Sequence, residues 1–309
     1  MTTDNLVGIL LMAYGSPESL DEVEAYYTQI RGRRHPLPSA ATELQERYRR
    51  IGGRSPLTEI TRAQAQALQH ALNTDGSRFR VYLGMRHWRP SIREAIGQMA
   101  VRDGLRKAVG LALAPHYSRL SVGAYIEAAR QALQELHSSL QIRFVESWHL
   151  QPLFLAALAQ RVRQALNRFT PAERDRLTVV FTAHSLPQRI LQWGDPYPAQ
   201  LHETCREVAR QVALSRWRFA YQSASRTGEP WLGPEVLNVL NELAREDTQA
   251  VLLCPVGFVA DNLEILYDID IASRQKAGQL GLHLERTDSL NDDPRFIRAL
   301  AATVKEHQL

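Results

Sequence analysis

VGILLMA (Val7–Ala13) runs seven residues without a polar side chain, and its reading decides the fold. A strand with one solvated face alternates apolar and polar residues. A strand apolar throughout is buried on both faces, as in a parallel sheet covered by helices on each side. Runs of this kind predict strands at Leu6–Ala13, Phe79–Leu83, Ala108–Ala114, Ile142–Glu146, Leu177–Ala183, Phe219–Ser223 and Ala250–Pro255. Between them the pattern turns helical, over Leu20–Ile30, Thr58–Asn73, Pro90–Val101, Val122–Leu136, Pro152–Phe169, Pro198–Ala213, Pro234–Ala244 and Asn262–Gly278. Pro90, Pro152, Pro171, Pro198 and Pro234 stand where those helices begin. An alternating βα chain of this sort is an α/β protein of doubly wound type.

An internal echo divides it. AVGLALAPHYS (Ala108–Ser118), AVLLCPVGF (Ala250–Phe258) and TAHSLP (Thr182–Pro187) each run an apolar strand into a proline-marked tip. The expected architecture is two similar Rossmann-like units, each a four-stranded parallel sheet flanked by helices, facing across a cleft. The expected division is residues 1–119 for the first unit, with a C-terminal helix at about 290–309 folding back on it, and 120–289 for the second. Ligands of open α/β sheets bind at the carboxyl ends of the strands.

The composition excludes several classes. Two cysteines, Cys205 and Cys254, cannot make a four-cysteine cluster or a disulfide framework. No stretch approaches the roughly 20 apolar residues of a membrane span, and MTTDNLVGILLMAYG reads as a core strand rather than a signal peptide. A cytoplasmic protein is expected. The net charge of +4 is concentrated: seven arginines fall within residues 31–54, in RGRRHP (Arg31–Pro36) and ERYRRIGGR (Glu46–Arg54). One reading is a solvated face with helix-end charges. The other is a mouth for an anionic ligand, because guanidinium matches carboxylate geometry. No nucleic-acid module accompanies the cluster, so nucleic acid is not an expected partner.

Two strand ends carry candidate chemistry. His184 closes VVFTAH, and Glu264 opens a helix after CPVGFVADN. An imidazole and a carboxylate at sheet edges are the minimal equipment for moving protons and for a labile divalent-metal site. The competing reading is a turn histidine and a solvated acid. GxSxG is absent around Ser185, so a serine-hydrolase elbow is not supported. Glu264 and Asp268, four apart, would share a helix face. Tyr14 either packs under the Gly15 turn or presents its phenol to a flat ligand or a metal. Arg31, Arg47, Tyr48 and Ser55 fall on a long connection, about residues 31–56, of a length that often serves binding. Tyr125 sits on the helix after APHYSRLSVGAY. Trp193, Trp231 and Tyr197 read as packing or rim.

LLMAYGSPESLDEVEAYYTQIRGRR, ERYRRIGGRSPLTEIT, LAPHYSRLSVGAY, TAHSLPQRI, GDPYPAQLHET, YQSASRTGEPWLGP and CPVGFVADNLEILYDID together resemble the ferrochelatase family. They are most similar to its soluble coproporphyrin III type from Gram-positive bacteria. The resemblance implies insertion of ferrous iron into coproporphyrin III to give Fe-coproporphyrin III (coproheme) in haem biosynthesis. It places His184 and Glu264 on the positions that contact the incoming iron and accept pyrrole protons. It places Tyr14 on the residue axial to the product iron, and Arg31, Arg47, Tyr48, Ser55 and Tyr125 on positions that hold the macrocycle and its propionates. The family often carries further carboxylates one turn apart beyond the glutamate; here the next turn offers Ala272, so an outer metal site would lean on Asp270 or be missing. Iron is then a substrate, with no permanently bound cofactor and no iron–sulfur cluster. The expected partners are porphyrin, ferrous iron and, transiently, the next enzyme of haem synthesis, with the chain itself a monomer. The alternatives are a chelatase for protoporphyrin IX or another metal, and a non-catalytic tetrapyrrole carrier.

Overall fold

Val7–Ala13 forms strand β1, and its last six residues are buried. It pairs in parallel with β2 (Phe79–Met85) on one side and β3 (Lys107–Ala112) on the other, and β4 (Gln141–Val145) continues beside β3. The sheet order is β2-β1-β3-β4. The computed structural model describes residues 6–32, 38–74, 76, 78–225 and 227–308. Leu10 and Met12 of β1 pack with Ile92, Ile96, Val122 and Ile126 from helices Ile92–Gly97 and Val122–Glu135, which cover one face. Burying each such side chain contributes roughly 1.5–3 kcal/mol. Helix Leu57–Leu72 packs against β2 and against the C-terminal helix Pro294–Glu306. Gln64 Nε2 donates to the Asn291 carbonyl (2.8 Å), and the Trp148 and Phe296 rings lie 6.0 Å apart. The C-terminal helix thus returns to the first sheet.

A second sheet repeats the plan. Strands β5 (Leu177–His184), β6 (Trp217–Gln222), β7 (Ala250–Pro255) and β8 (His283–Arg286) run parallel in the order β6-β5-β7-β8. Val180, Val251 and Leu253 face Val236, Leu240, Ile265 and Ile269 from helix Val236–Leu243 and the π-helix Ile265–Ser273. Helices Pro152–Leu166 and Tyr197–Val212 pack on each other and on β7 and β6. The repetition reaches the hydrogen bonds: Met85 N–H, ending β2, donates to Pro90 O (2.6 Å), and Tyr221 N–H, near the end of β6, donates to Pro234 O (2.8 Å).

The chain divides into Met1–Trp148 with Asn291–Leu309, and His149–Leu290. Helix Val122–Glu135 and β4, which the sequence reading assigned to the second unit, belong to the first, because β4 pairs with β3.

Three features escape the sequence pattern. β8 (HLER) is a four-residue edge strand whose one buried residue is Leu284, too short and too polar to show as an apolar run. Within the long connection of residues 31–56, Pro38–Arg50 is a polar helix whose bounds the sequence pattern does not show, supported by the Arg47–Glu43 (3.3 Å) and Arg49–Glu46 (3.2 Å) pairs. Asn262–Gly278 is not a plain α-helix but a π-helix followed by α-helix Arg274–Gln279. The prolines behave as expected, with one nuance. Pro152, Pro171 and Pro198 lie in first turns, whereas Pro90 and Pro234 precede the capping residues Ser91 and Glu235.

Candidate active site

In the second unit, His184 is the first residue of β5 to emerge from a fully buried run. Its backbone carbonyl accepts from Tyr197 Oη (2.9 Å). Its ring meets an acceptor on each nitrogen: Nδ1 bonds the Ser185 carbonyl, and Nε2 lies 3.2 Å from Glu264 Oε1. A carbonyl only accepts, so Nδ1 carries a hydrogen, and the carboxylate favours a second proton on Nε2. Burial alone would push the imidazole down. The charge and hydrogen bond of Glu264, the Ser185 carbonyl and the charge of Asp268 outweigh it and raise the group to about 9. In the ligand-free pair the imidazole therefore holds its proton at neutral pH. Both side chains remain about a third exposed (31% and 34%).

Glu264 owes its position to Asn262, whose Oδ1 accepts from Glu264 N–H (2.8 Å) and Ile265 N–H (3.1 Å) as a cap does. The π-helix follows, with Asp268 about one turn beyond Glu264. Asp268 accepts from Ser223 Oγ, and its carbonyl takes the Ser273 hydroxyl (2.7 Å). Ser223 sits in the left-handed backbone region (φ 61°), a costly conformation for a non-glycine residue and one associated with functional sites. Trp231 and Phe258 flank the imidazole, with ring centroids at 6.2 and 6.4 Å. Trp231 therefore packs beside the imidazole. Among the described residues no group of three or more His, Cys, Asp or Glu is arranged to hold a metal ion. What this site offers is a two-donor pair with open positions for exchange.

In the first unit, Tyr14 follows β1 and is 40% exposed, its ring tilted on His87 at 4.6 Å. Gly15 makes the turn: its φ is +89°, and a Cβ there would meet Trp88 Cβ at 2.7 Å. Burial, with the Arg86 charge, pushes His87 down to about 4, so Tyr14 rests on a neutral imidazole. Arg86 lies over the Tyr125 ring at 5.6 Å, which links Tyr14, His87, Arg86 and Tyr125 in one patch of this unit. Arg31 ends helix Val23–Ile30, exposed, over the Tyr27 ring at 5.9 Å. Arg47 is half-exposed beside Glu43. Tyr48 (1% exposed), Ser55 (6%) and Tyr125 (6%) are buried, and Ser55 Oγ accepts from Leu57 N–H. These three offer a ligand little surface. Residues 33–37, including Arg33 and Arg34 of the basic cluster, lie outside the described residues.

The sequence profile of the ferrochelatase family matches residues 6–308. The chain belongs to the ferrochelatase family. It is 48% identical over 297 residues to the ferrochelatase of Herpetosiphon aurantiacus, covering 96% of this chain and 97% of that one. It is 42% identical to the coproporphyrin III ferrochelatase of Geobacillus thermodenitrificans, covering 96% and 95%. Among solved structures it resembles the cobalt complex of sirohydrochlorin chelatase SirB from Bacillus subtilis subspecies spizizenii, with a TM-score of 0.58 at 12% identity, covering 97% of this chain and 94% of that one. That likeness concerns the fold. Like its family, the chain is a metal chelatase, and the two-sheet architecture is that of its structural neighbour. Among the described residues no helix is long and apolar enough to cross a membrane.

Sequence reasoning missed Asn262, Ser223 and Arg286, which position the segments of this candidate site. Only Asn262 left a signal, as a capping residue two positions before Glu264.

Proposed function

We propose that this chain inserts ferrous iron into coproporphyrin III and releases two protons, yielding coproheme, a reaction of the lyase class. The observation that carries the reading is the His184–Glu264 pair, 3.2 Å apart and open to solvent. A free-base porphyrin holds two N–H protons that must leave as the metal enters, so catalysis needs an acceptor and a metal contact in one place. In the resting pair the imidazole is already protonated and cannot take a pyrrole proton. An arriving divalent cation is repelled by that proton and attracted by Glu264. Metal binding then expels the proton, as it does wherever histidine must be neutral to ligate. As the iron passes to the ring nitrogens, the imidazole Nε2 and the carboxylate are freed to accept the two pyrrole protons and then release them to water.

Coproporphyrin III carries four propionates, and the arginines Arg31 and Arg47 suit carboxylates. The 42% identical relative named as a coproporphyrin III ferrochelatase supports the same choice of ring. Tyr14 is assigned to the axial position on the product iron, with Tyr48, Ser55 and Tyr125 shaping the wall behind the porphyrin-binding residues. Iron enters as substrate. The reaction is assigned to the cytoplasm, with no resident cofactor.

The test is anaerobic mixing of the protein with ferrous iron and either coproporphyrin III or protoporphyrin IX, followed by absorbance. Faster metallation of coproporphyrin III is expected. Preference for protoporphyrin IX would overturn the substrate assignment, and binding of either ring without turnover would overturn the catalytic one.

A further inference from the structure

Arg286, on the edge strand β8, has a side chain only 14% exposed. Its guanidinium pairs side-on with Asp270, Nε to Oδ1 at 2.6 Å and Nη2 to Oδ2 at 2.9 Å. Nη2 also lies 3.2 Å from Asp261 Oδ1, which in turn accepts from Ser289 Oγ (2.7 Å). Nη1 donates to the Thr287 carbonyl (3.1 Å), and Arg168 Nη1 donates to the Arg286 carbonyl (2.9 Å). The guanidinium is therefore fixed from several directions.

What it holds matters more than how it is held. Asp261 lies three residues before Glu264, next to the Asn262 cap. Asp270 lies six residues after it, on the π-helix that also carries Asp268. One cation thus ties down both ends of the segment that presents Glu264 to His184. A π-helix is rare and lacks the intrinsic support of an α-helix, so its geometry depends on such outside contacts. Asp270 is also committed: paired side-on to Arg286, it does not stand in for the carboxylate missing at Ala272.

We propose that Arg286 is a positioning residue for metal delivery, clamping Asp261 and Asp270 so that the Glu264 carboxylate meets incoming iron at His184. The proposal rests on the chelatase reading above. Groups that orient metal-binding side chains change metal affinity or activity by about 10–100-fold when removed. Lysine at this position would supply a point charge without the fork, and would not reproduce both contacts.

The experiment measures anaerobic iron insertion by the wild type, Arg286→Met, Arg286→Lys and Asp270→Asn, varying ferrous iron and porphyrin separately. The expected result is a loss of about 10–100-fold in kcat/KM for iron in Arg286→Met, a smaller one in Asp270→Asn, and partial recovery in Arg286→Lys. The porphyrin KM should stay within about twofold of wild type, since these groups orient the metal contact. A lower melting temperature with iron kinetics unchanged would overturn the proposal, as would a loss falling on the porphyrin KM. If Arg286→Met does not fold, Asp270→Asn decides by the same criteria, because it removes the side-on pair and leaves the guanidinium on Asp261. If the wild type itself inserts no iron, the chelatase reading fails and takes the proposal with it.

Discussion

Tyr14 and His184 occupy the same register position in the two units. Ala13, which precedes Tyr14, pairs with Met85 of β2, and Ala183, which precedes His184, pairs with Tyr221 of β6. Met85 and Tyr221 are in turn the residues whose N–H groups reach Pro90 and Pro234. The local sequences AYGSP and AHSLP therefore mark one repeated structural device, in which the residue leaving the buried strand is followed three positions later by proline. Each unit uses it to bring one side chain out of a buried strand. One presents a phenol and the other an imidazole, so the repeat has diverged in chemistry while keeping its backbone.

Removal of either member of the His184–Glu264 pair should cost insertion about 10²–10⁴-fold, the scale of a positioned acid or base. The two share one hydrogen bond, so the double variant His184→Ala/Glu264→Gln should lose far less than the product of the single losses. Anaerobic initial rates for the four proteins check this. Independent, multiplying losses would mean that the residues do not act as a unit.

The proton held by His184 predicts a pH dependence. The group rises from 6.5 to about 9 on folding, so between those values the folded chain keeps a proton that the unfolded chain has released. The stability contributed by the pair is complete below about 6.5 and is lost as pH rises through about 9. In Glu264→Gln the largest opposing charge is gone and burial pulls the imidazole down. Histidine NMR should show His184 titrating near 9 in the wild type and markedly lower in the variant. Denaturation curves from pH 6 to 10 should lose the corresponding slope. An unchanged His184 midpoint in the variant would refute the assignment of cause.

The βα alternation, the two units and the strand ends carrying His184 and Glu264 were legible because each rests on a dense local signal. VGILLMA and TVVFTAH are apolar without interruption, and burial on both faces is what such runs report. The rest depends on information that no window of sequence holds. β8 is a strand only because β7 offers it an edge, and HLER shows one buried residue. The helix Pro38–Arg50 has a polar surface stabilised by ion pairs, so its apolar period is faint. The Arg286 clamp joins residues 16 and 25 positions apart. Tyr48 and Ser55 could be placed on the right segment, but their burial follows from packing.

Tyr14→Phe should separate insertion from product coordination. Its ring stays seated on neutral His87 in either form, because the contact is between rings, so the insertion rate should change by no more than a few-fold, the range of a lost exposed hydrogen bond. The visible spectrum of the ferric product complex should change clearly, since the phenol oxygen is the atom assigned to the iron. An unaltered spectrum would remove Tyr14 from the axial position.

Gly257 tests whether the end of β5 must stay where it is. Its N–H donates to Thr182 O (3.2 Å), and a Cβ built on it would lie 2.6 Å from Ala183 Cβ and 3.0 Å from Ala183 Cα. No flexible side chain can yield there: the obstacle is the strand itself, one residue before His184. Gly257→Ala must therefore displace β5 or the β7 turn. It should destabilise by about 1–3 kcal/mol, the usual cost of overpacking, and should lower the insertion rate by shifting the imidazole from Glu264. Gly278 is the control. It lies in helix Arg274–Gln279 with nothing within 4 Å of a built Cβ, so Gly278→Ala should stabilise by roughly 0.5–1 kcal/mol with insertion unchanged. Denaturant unfolding and initial rates on both variants decide the matter. If Gly257→Ala behaves like Gly278→Ala, the close approach at Ala183 is not what holds His184 in place.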